Sequence, residues 1–71
     1  MIGERIRYLR KEKGYSMSRL AKEAGVSKTY LSNLENGFQN NPSIDFLKRV
    51  GNILGTSINE LISEDLPQEN E

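Results

Sequence analysis

The chain has 71 residues, ten basic and ten acidic, and contains no cysteine, histidine or tryptophan. That length holds one domain with a small core, and the missing residue types exclude a disulfide scaffold, a thiolate metal centre and the commonest general base. No apolar run approaches the ~18 residues of a membrane-spanning helix, and the opening MIGERIRYLRKEKG lacks the apolar stretch of a secretory signal, so a cytoplasmic protein is expected.

Glycines at 14, 25 and 37 fall 11 and 12 residues apart, the spacing of short helices each ended by a residue that tolerates left-handed backbone. Helix 1 is expected from Ile2 to Lys13, with Ile2, Ile6 and Leu9 on one face. Ser16 caps helix 2, which runs to Ala24 and turns Leu20, Ala21 and Ala24 inward. After a tight turn at Gly25-Val26, Ser27 caps helix 3, which buries Leu31 and Leu34 and ends at Asn36-Gly37. Phe38 to Pro42 reads as a loop, with Phe38 tucked back on the core. Ser43 caps helix 4, whose inner stripe is Ile44, Leu47, Val50 and Leu54, with Lys48 and Arg49 on its solvent side. Gly55 closes it, and Ser57 to Glu60 fits a capping box opening a short fifth helix with Ile58, Leu61 and Ile62 as its apolar residues. Residues 64–71 hold four acids, a proline and no base, and read as an acidic tail or linker. Tyr8 and Tyr15 are read as packing residues, and nothing reads as a strand.

The zero net charge hides a polarised distribution. Residues 1–28 carry eight bases and three acids, whereas residues 29–71 carry two bases and seven acids, a swing from +5 to −5. Such asymmetry is a hint of nucleic-acid or membrane contact, and charge alone fits a solvated face on ordinary helices equally well. Catalysis finds no support: no nucleophile has a base and an orienting group, and no phosphate-cradling glycine loop or zinc-binding HExxH pattern exists. No cofactor and no metal are expected.

Helices 2 and 3, joined by a short glycine-containing turn, have helix-turn-helix spacing. With Leu31 and Leu34 inward, helix 3 turns Lys28, Thr29, Ser32, Asn33 and Asn36 outward. A merely solvated face favours Glu, Lys and Gln, which are better helix formers. Short uncharged polar side chains are those that exchange hydrogen bonds with base edges in the major groove.

The segment GYSMSRLAKEAGVSKTYLSNLENG, Gly14 to Gly37, resembles the helix-turn-helix core of the phage-repressor (Xre/Cro) family. The shared signature is a glycine, a cap, Leu-Ala, a turn glycine, Val-Ser, Leu-x-x-Leu-Glu and a closing Asn-Gly. The opening MIGERIRYLRKEKGYS and the later Asn41-Pro42-Ser43-Ile44, with Phe46 and Leu47, resemble more narrowly a branch of biofilm and sporulation-stage repressors of bacilli. Two residues depart from the common pattern: Met17, where many members carry glutamine, and Arg19, where glutamate is frequent.

The resemblance implies an all-α, compact five-helix lambda-repressor-like domain over residues 1–63. Its third helix, about residues 27–36, would enter the major groove of a two-fold operator. Lys28, Thr29, Ser32 and Asn33 would face bases. Ser16, Met17, Ser18, Asn40 and Asn41 would face the DNA backbone, with Arg19 and Asn36 as further backbone contacts. Tyr30 would either place its hydroxyl on a phosphate or pack over the turn. Arg10 and Glu35 would form a partly buried ion pair locking helix 3. The implied function is a bacterial, nucleoid-associated transcriptional regulator, most simply a repressor. Its partners would be double-stranded DNA, a second copy of the chain and a protein antagonist, with no membrane. Either the chain is an isolated domain, or the dimer forms through helix 5 and its flanking residues. Two rival readings share the fold: a restriction-modification controller or antitoxin-type regulator, and a protein-interaction module that has lost DNA binding.

Overall fold

Serine marks the start of four of the five helices. In the computed structural model, which describes residues 2–39 and 41–62, the helices are α1 (Ile2–Glu12), α2 (Met17–Ala24), α3 (Lys28–Glu35), α4 (Ile44–Leu54) and α5 (Ile58–Ile62). Ser16, Ser27 and Ser43 each accept, on Oγ, the amide N–H three residues on, at 3.0, 2.9 and 3.1 Å. Ser57 does the same for Glu60 at 3.1 Å, and the Glu60 carboxylate returns to the Ser57 amide at 3.4 Å, completing a capping box. These contacts satisfy amides that a helix start leaves unbonded. The other ends are as local: Gly14, Gly25, Gly37 and Gly55 all have positive φ, between 70° and 85°. At the close of α2, the Gly25 amide and the Val26 amide return to carbonyls of the last turn.

No strand occurs among the described residues. Met1, Asn40 and residues 63–71 lie outside them, so the readings of Asn40 and of the acidic tail, and both ends of the 1–63 domain, fall outside the described residues.

The helices close on one core of Ile6, Leu20, Ala21, Ala24, Leu31, Leu34, Phe46, Leu47, Val50, Leu54 and Leu61. Each buried leucine contributes roughly 1.5–3 kcal/mol by leaving water. Helix α4 packs on α1, α2 and α5; α1 packs on α3 and α5; α2 packs on α3. The recognition unit, α2 with α3, therefore rests on a platform made by α1 and α4.

Four apolar residues depart from their expected places. Ile44 is 58% exposed and Phe38 81% exposed. In α4 the inner stripe begins at Phe46 instead, which is buried with Leu47, Val50 and Leu54. Phe38 follows the left-handed Gly37, and its amide is held outward by the Asn33 carbonyl at 2.8 Å. Tyr8 lies on the solvent side of α1, and Ile62 is half exposed at the last turn of α5. Helix α1 also ends one residue early, at Glu12.

One approach has no sequence signal at all. Gly3 is buried where α1 crosses the end of α3, so close that a Cβ there would stand 1.9 Å from the Leu34 carbonyl oxygen. Only a residue without a side chain lets the two backbones meet.

Candidate nucleic-acid interface

The three residues Gly25, Val26 and Ser27 join α2 to α3. Leu31 and Leu34 face the core, which fixes the rotation of α3 and turns the rest of it outward. Lys28, Thr29, Asn33 and Asn36 are exposed, and Ser32 is half buried beside them. The side chains of Lys28, Thr29 and Asn33 have no hydrogen-bond partner among the described residues, so their donors and acceptors are open to a ligand. Asn36 and Ser32 partner each other instead, the amide donating to the hydroxyl at 3.3 Å.

Both ends of this helix are held. At its C-terminus the Arg10 guanidinium from α1 grips the Glu35 carboxylate twice, Nε to Oε2 at 2.8 Å and Nη2 to Oε1 at 3.0 Å. A third donor, Nη1, reaches the Tyr15 carbonyl oxygen at 2.8 Å. Arg10 is 7% exposed and Glu35 4% exposed, so this is a desolvated bidentate pair with a third hydrogen bond on the arginine. Nearer the start of α3, Tyr30 sets its ring edge-on to Phe46 of α4, with centroids 5.5 Å apart and planes at 85°. The ring is half buried and packs on α4 rather than over the turn, and its phosphate reading stays open.

The start of α2 is a second group. Ser16 and Ser18 are exposed, and the Ser16 hydroxyl oxygen accepts the Arg19 amide. Met17 packs against the core, so only its backbone is available to a phosphate. Arg19 is engaged within the chain: its guanidinium donates to Glu23 at 3.0 Å and lies 4.1 Å from the centre of the Tyr15 ring. The Glu23 hydrogen bond raises the Arg19 pKa above its ordinary value, with the electrostatic interaction with Tyr15 second. The Tyr15 hydroxyl donates to the other Glu23 oxygen at 3.4 Å. Asn41 is exposed beyond α3.

Sequence reasoning passed over two contributors to this geometry. Phe46 supplies the ring under Tyr30, and Arg49, on the solvent side of α4, donates to the Ala24 carbonyl at the end of α2 at 3.2 Å. No group of ligating side chains suits a metal among the described residues, and no helix there is long and apolar enough to cross a membrane.

A family model described as helix-turn-helix matches residues 6–61. The HTH-type transcriptional regulator SinR of Bacillus subtilis (strain 168) is 55% identical over 64 residues, which is 90% of this chain and 58% of that protein. The chain thus spans less than two thirds of that relative's length. A crystal structure of SinR, described as the master regulator for biofilm formation, in complex with DNA superimposes with a TM-score of 0.85 at 54% identity, covering 89% of this chain and 100% of that one. SinR in its complex with the SinI protein gives a TM-score of 0.85 at 55% identity, covering 90% of this chain and 62% of that one. The matched regulators are transcription factors. The signature of residues 14–37, the fold and these relatives agree: the chain belongs to the helix-turn-helix family of transcriptional regulators, in which SinR is among its relatives.

Proposed function

We propose that this chain is the DNA-reading domain of a bacterial transcriptional repressor, which sets α3 in the major groove of a two-fold operator as a homodimer. The observation that carries the reading is the outer face of α3. Lys28, Thr29 and Asn33 stand exposed and unpartnered on a helix whose orientation is fixed by the Arg10–Glu35 pair. Lys28 matches the acceptors of guanine, and Asn33 those of adenine paired with its amino donor. Ser32 and Thr29 add short-range hydrogen bonds on the same face. The opening turn of α2, through Ser16, Met17, Ser18 and Arg19, with Tyr30, Asn36, Asn40 and Asn41, holds the sugar-phosphate backbone and sets register. The bases of residues 1–28 supply a salt-dependent attraction to any duplex.

The reading extends to residues 1–63 as one domain followed by an acidic segment, to action on the bacterial nucleoid in the cytoplasm, and to the absence of enzymatic activity. A protein antagonist of this regulator is part of the proposal, supported by the SinI complex of the relative.

Selection of binding sites from a random duplex library tests it. Convergence on a two-fold sequence, occupied by two copies in a mass measurement of the bound species, is expected. A protein that enriches no sequence and loses duplex binding without selectivity as salt rises refutes sequence reading.

A further inference from the structure

We infer that Arg49 is a positioning residue for DNA reading: reaching across from α4, it ties down the end of α2 and so fixes the turn from which α3 leaves. The inference rests on the proposed role of α3.

The geometry is specific. A helix leaves its last carbonyls without intrahelical partners. At the end of α2, the Gly25 and Val26 amides serve Lys22 and Ala21. The Ala24 carbonyl is taken by Arg49 Nη1 at 3.2 Å. A Cβ built on Gly25 would meet the same nitrogen at 3.5 Å, so the guanidinium tip sits at the turn itself. It also sets a positive charge at the negative end of the α2 dipole. Only three residues separate this carbonyl from α3, and each is fixed: Gly25 by its left-handed φ of 75°, Val26 by its bond to Ala21, Ser27 by its cap on Tyr30. A shift at Ala24 is therefore handed to α3 with little to absorb it.

The platform thus holds the recognition unit with an arginine at either end, Arg10 of α1 at the far end of α3 and Arg49 of α4 at the turn. Tyr30 on Phe46 lies between them. Because Arg49 meets a backbone oxygen, its partner leaves no mark in the sequence.

The competing role for an exposed arginine in such a domain is a direct phosphate contact, and the two roles separate in one experiment. Arg49→Met and Arg49→Lys are compared with the parent on the operator obtained by selection and on a random-sequence duplex, across a salt series. Amide hydrogen exchange is followed on the free proteins. The expected result for Arg49→Met is a loss of about tenfold on the operator, the size of one hydrogen bond from a charged group. Binding to the random duplex and the slope of affinity against salt stay unchanged. The Val26 amide exchanges about tenfold faster, while the amides of α1 keep their protection. Arg49→Lys, which keeps the cation and a donor, recovers most of both effects. Equal losses on both duplexes with a salt slope shallower by about one unit make Arg49 a phosphate ligand and overturn the inference. So does an unchanged Val26 exchange rate. If the parent holds neither duplex, the DNA-reading proposal fails, and the anchor stands or falls on Val26 exchange alone.

Discussion

Replacing Arg10 with methionine probes the clamp on α3 most severely. Methionine keeps an apolar side chain of similar length, yet the Glu35 carboxylate, 4% exposed, would lose both of its charged hydrogen bonds. Breaking one side of such a buried pair costs about 3–5 kcal/mol. A domain of this length holds about 4–11 kcal/mol in total, so Arg10→Met removes roughly a quarter of it or more. At about 4–8 °C per kcal/mol for small domains, the thermal midpoint falls by about 12 °C at the least. Pairing the change with Glu35→Leu removes the stranded charge, and most of the stability returns, since apolar replacements of buried pairs are often neutral or better. Operator affinity returns less fully, because two forked hydrogen bonds that fixed the angle of α3 have become non-directional packing. Urea and thermal unfolding followed by circular dichroism, with operator titrations for both single variants and the double, measure each part. Single-variant losses below about 0.5 kcal/mol, the range of solvent-exposed pairs, would show that the pair is not a clamp.

Three further outcomes follow from particular contacts. Asn33→Ala costs about 1–3 kcal/mol on the selected operator and almost nothing on random duplex, and equal weakening of both in band-shift titrations would remove Asn33 from base reading. Gly3→Ala forces α1 off the Leu34 carbonyl and destabilises by about 3 kcal/mol, read as a lower urea midpoint; a neutral result would contradict the close crossing of α1 and α3. The Glu60 pKa is lowered, first by the Thr56 hydroxyl and then by the Ser57 amide, so its charged form is the stabilising one. That contribution is present above the ordinary carboxylate range and lost as pH falls through the lowered value. The stability advantage of the parent over Glu60→Gln should therefore shrink from neutral pH into acid, and a constant gap between their thermal midpoints would contradict it.

The elements were legible because their signals are local. Each serine cap acts within three residues, and each closing glycine answers a single backbone angle, so order and boundaries follow from short windows of sequence. The turning of α3 was legible as well, since Leu31 and Leu34 admit one inward face. What failed was hydrophobicity taken alone. Ile44 shares a helix with the core stripe but lies roughly a third of a turn from the line of Phe46, Val50 and Leu54, and it therefore meets water. Phe38 is apolar, yet the left-handed Gly37 and the bond to Asn33 aim it outward, and no composition rule carries that geometry. The close crossing at Gly3 and the reach of Arg49 to Ala24 are contacts with backbone oxygens, which every residue has, so no residue pairing in the chain announces them. For the interface, residue types alone named the open face of α3, while the engagement of Arg19 by Glu23 four residues on and by Tyr15 four residues back is as local as the caps and was passed over for the phosphate reading of Arg19.

The account rests on two copies of α3 reading one two-fold site, and half-site spacing tests that directly. Affinity is measured for a single half-site and for paired half-sites whose centres are moved apart base pair by base pair. The account predicts weak binding to one half-site and a sharp maximum with two copies bound when the centres lie one helical turn apart, about 34 Å. Tight binding to a single half-site, with the second adding nothing at any spacing, would contradict it.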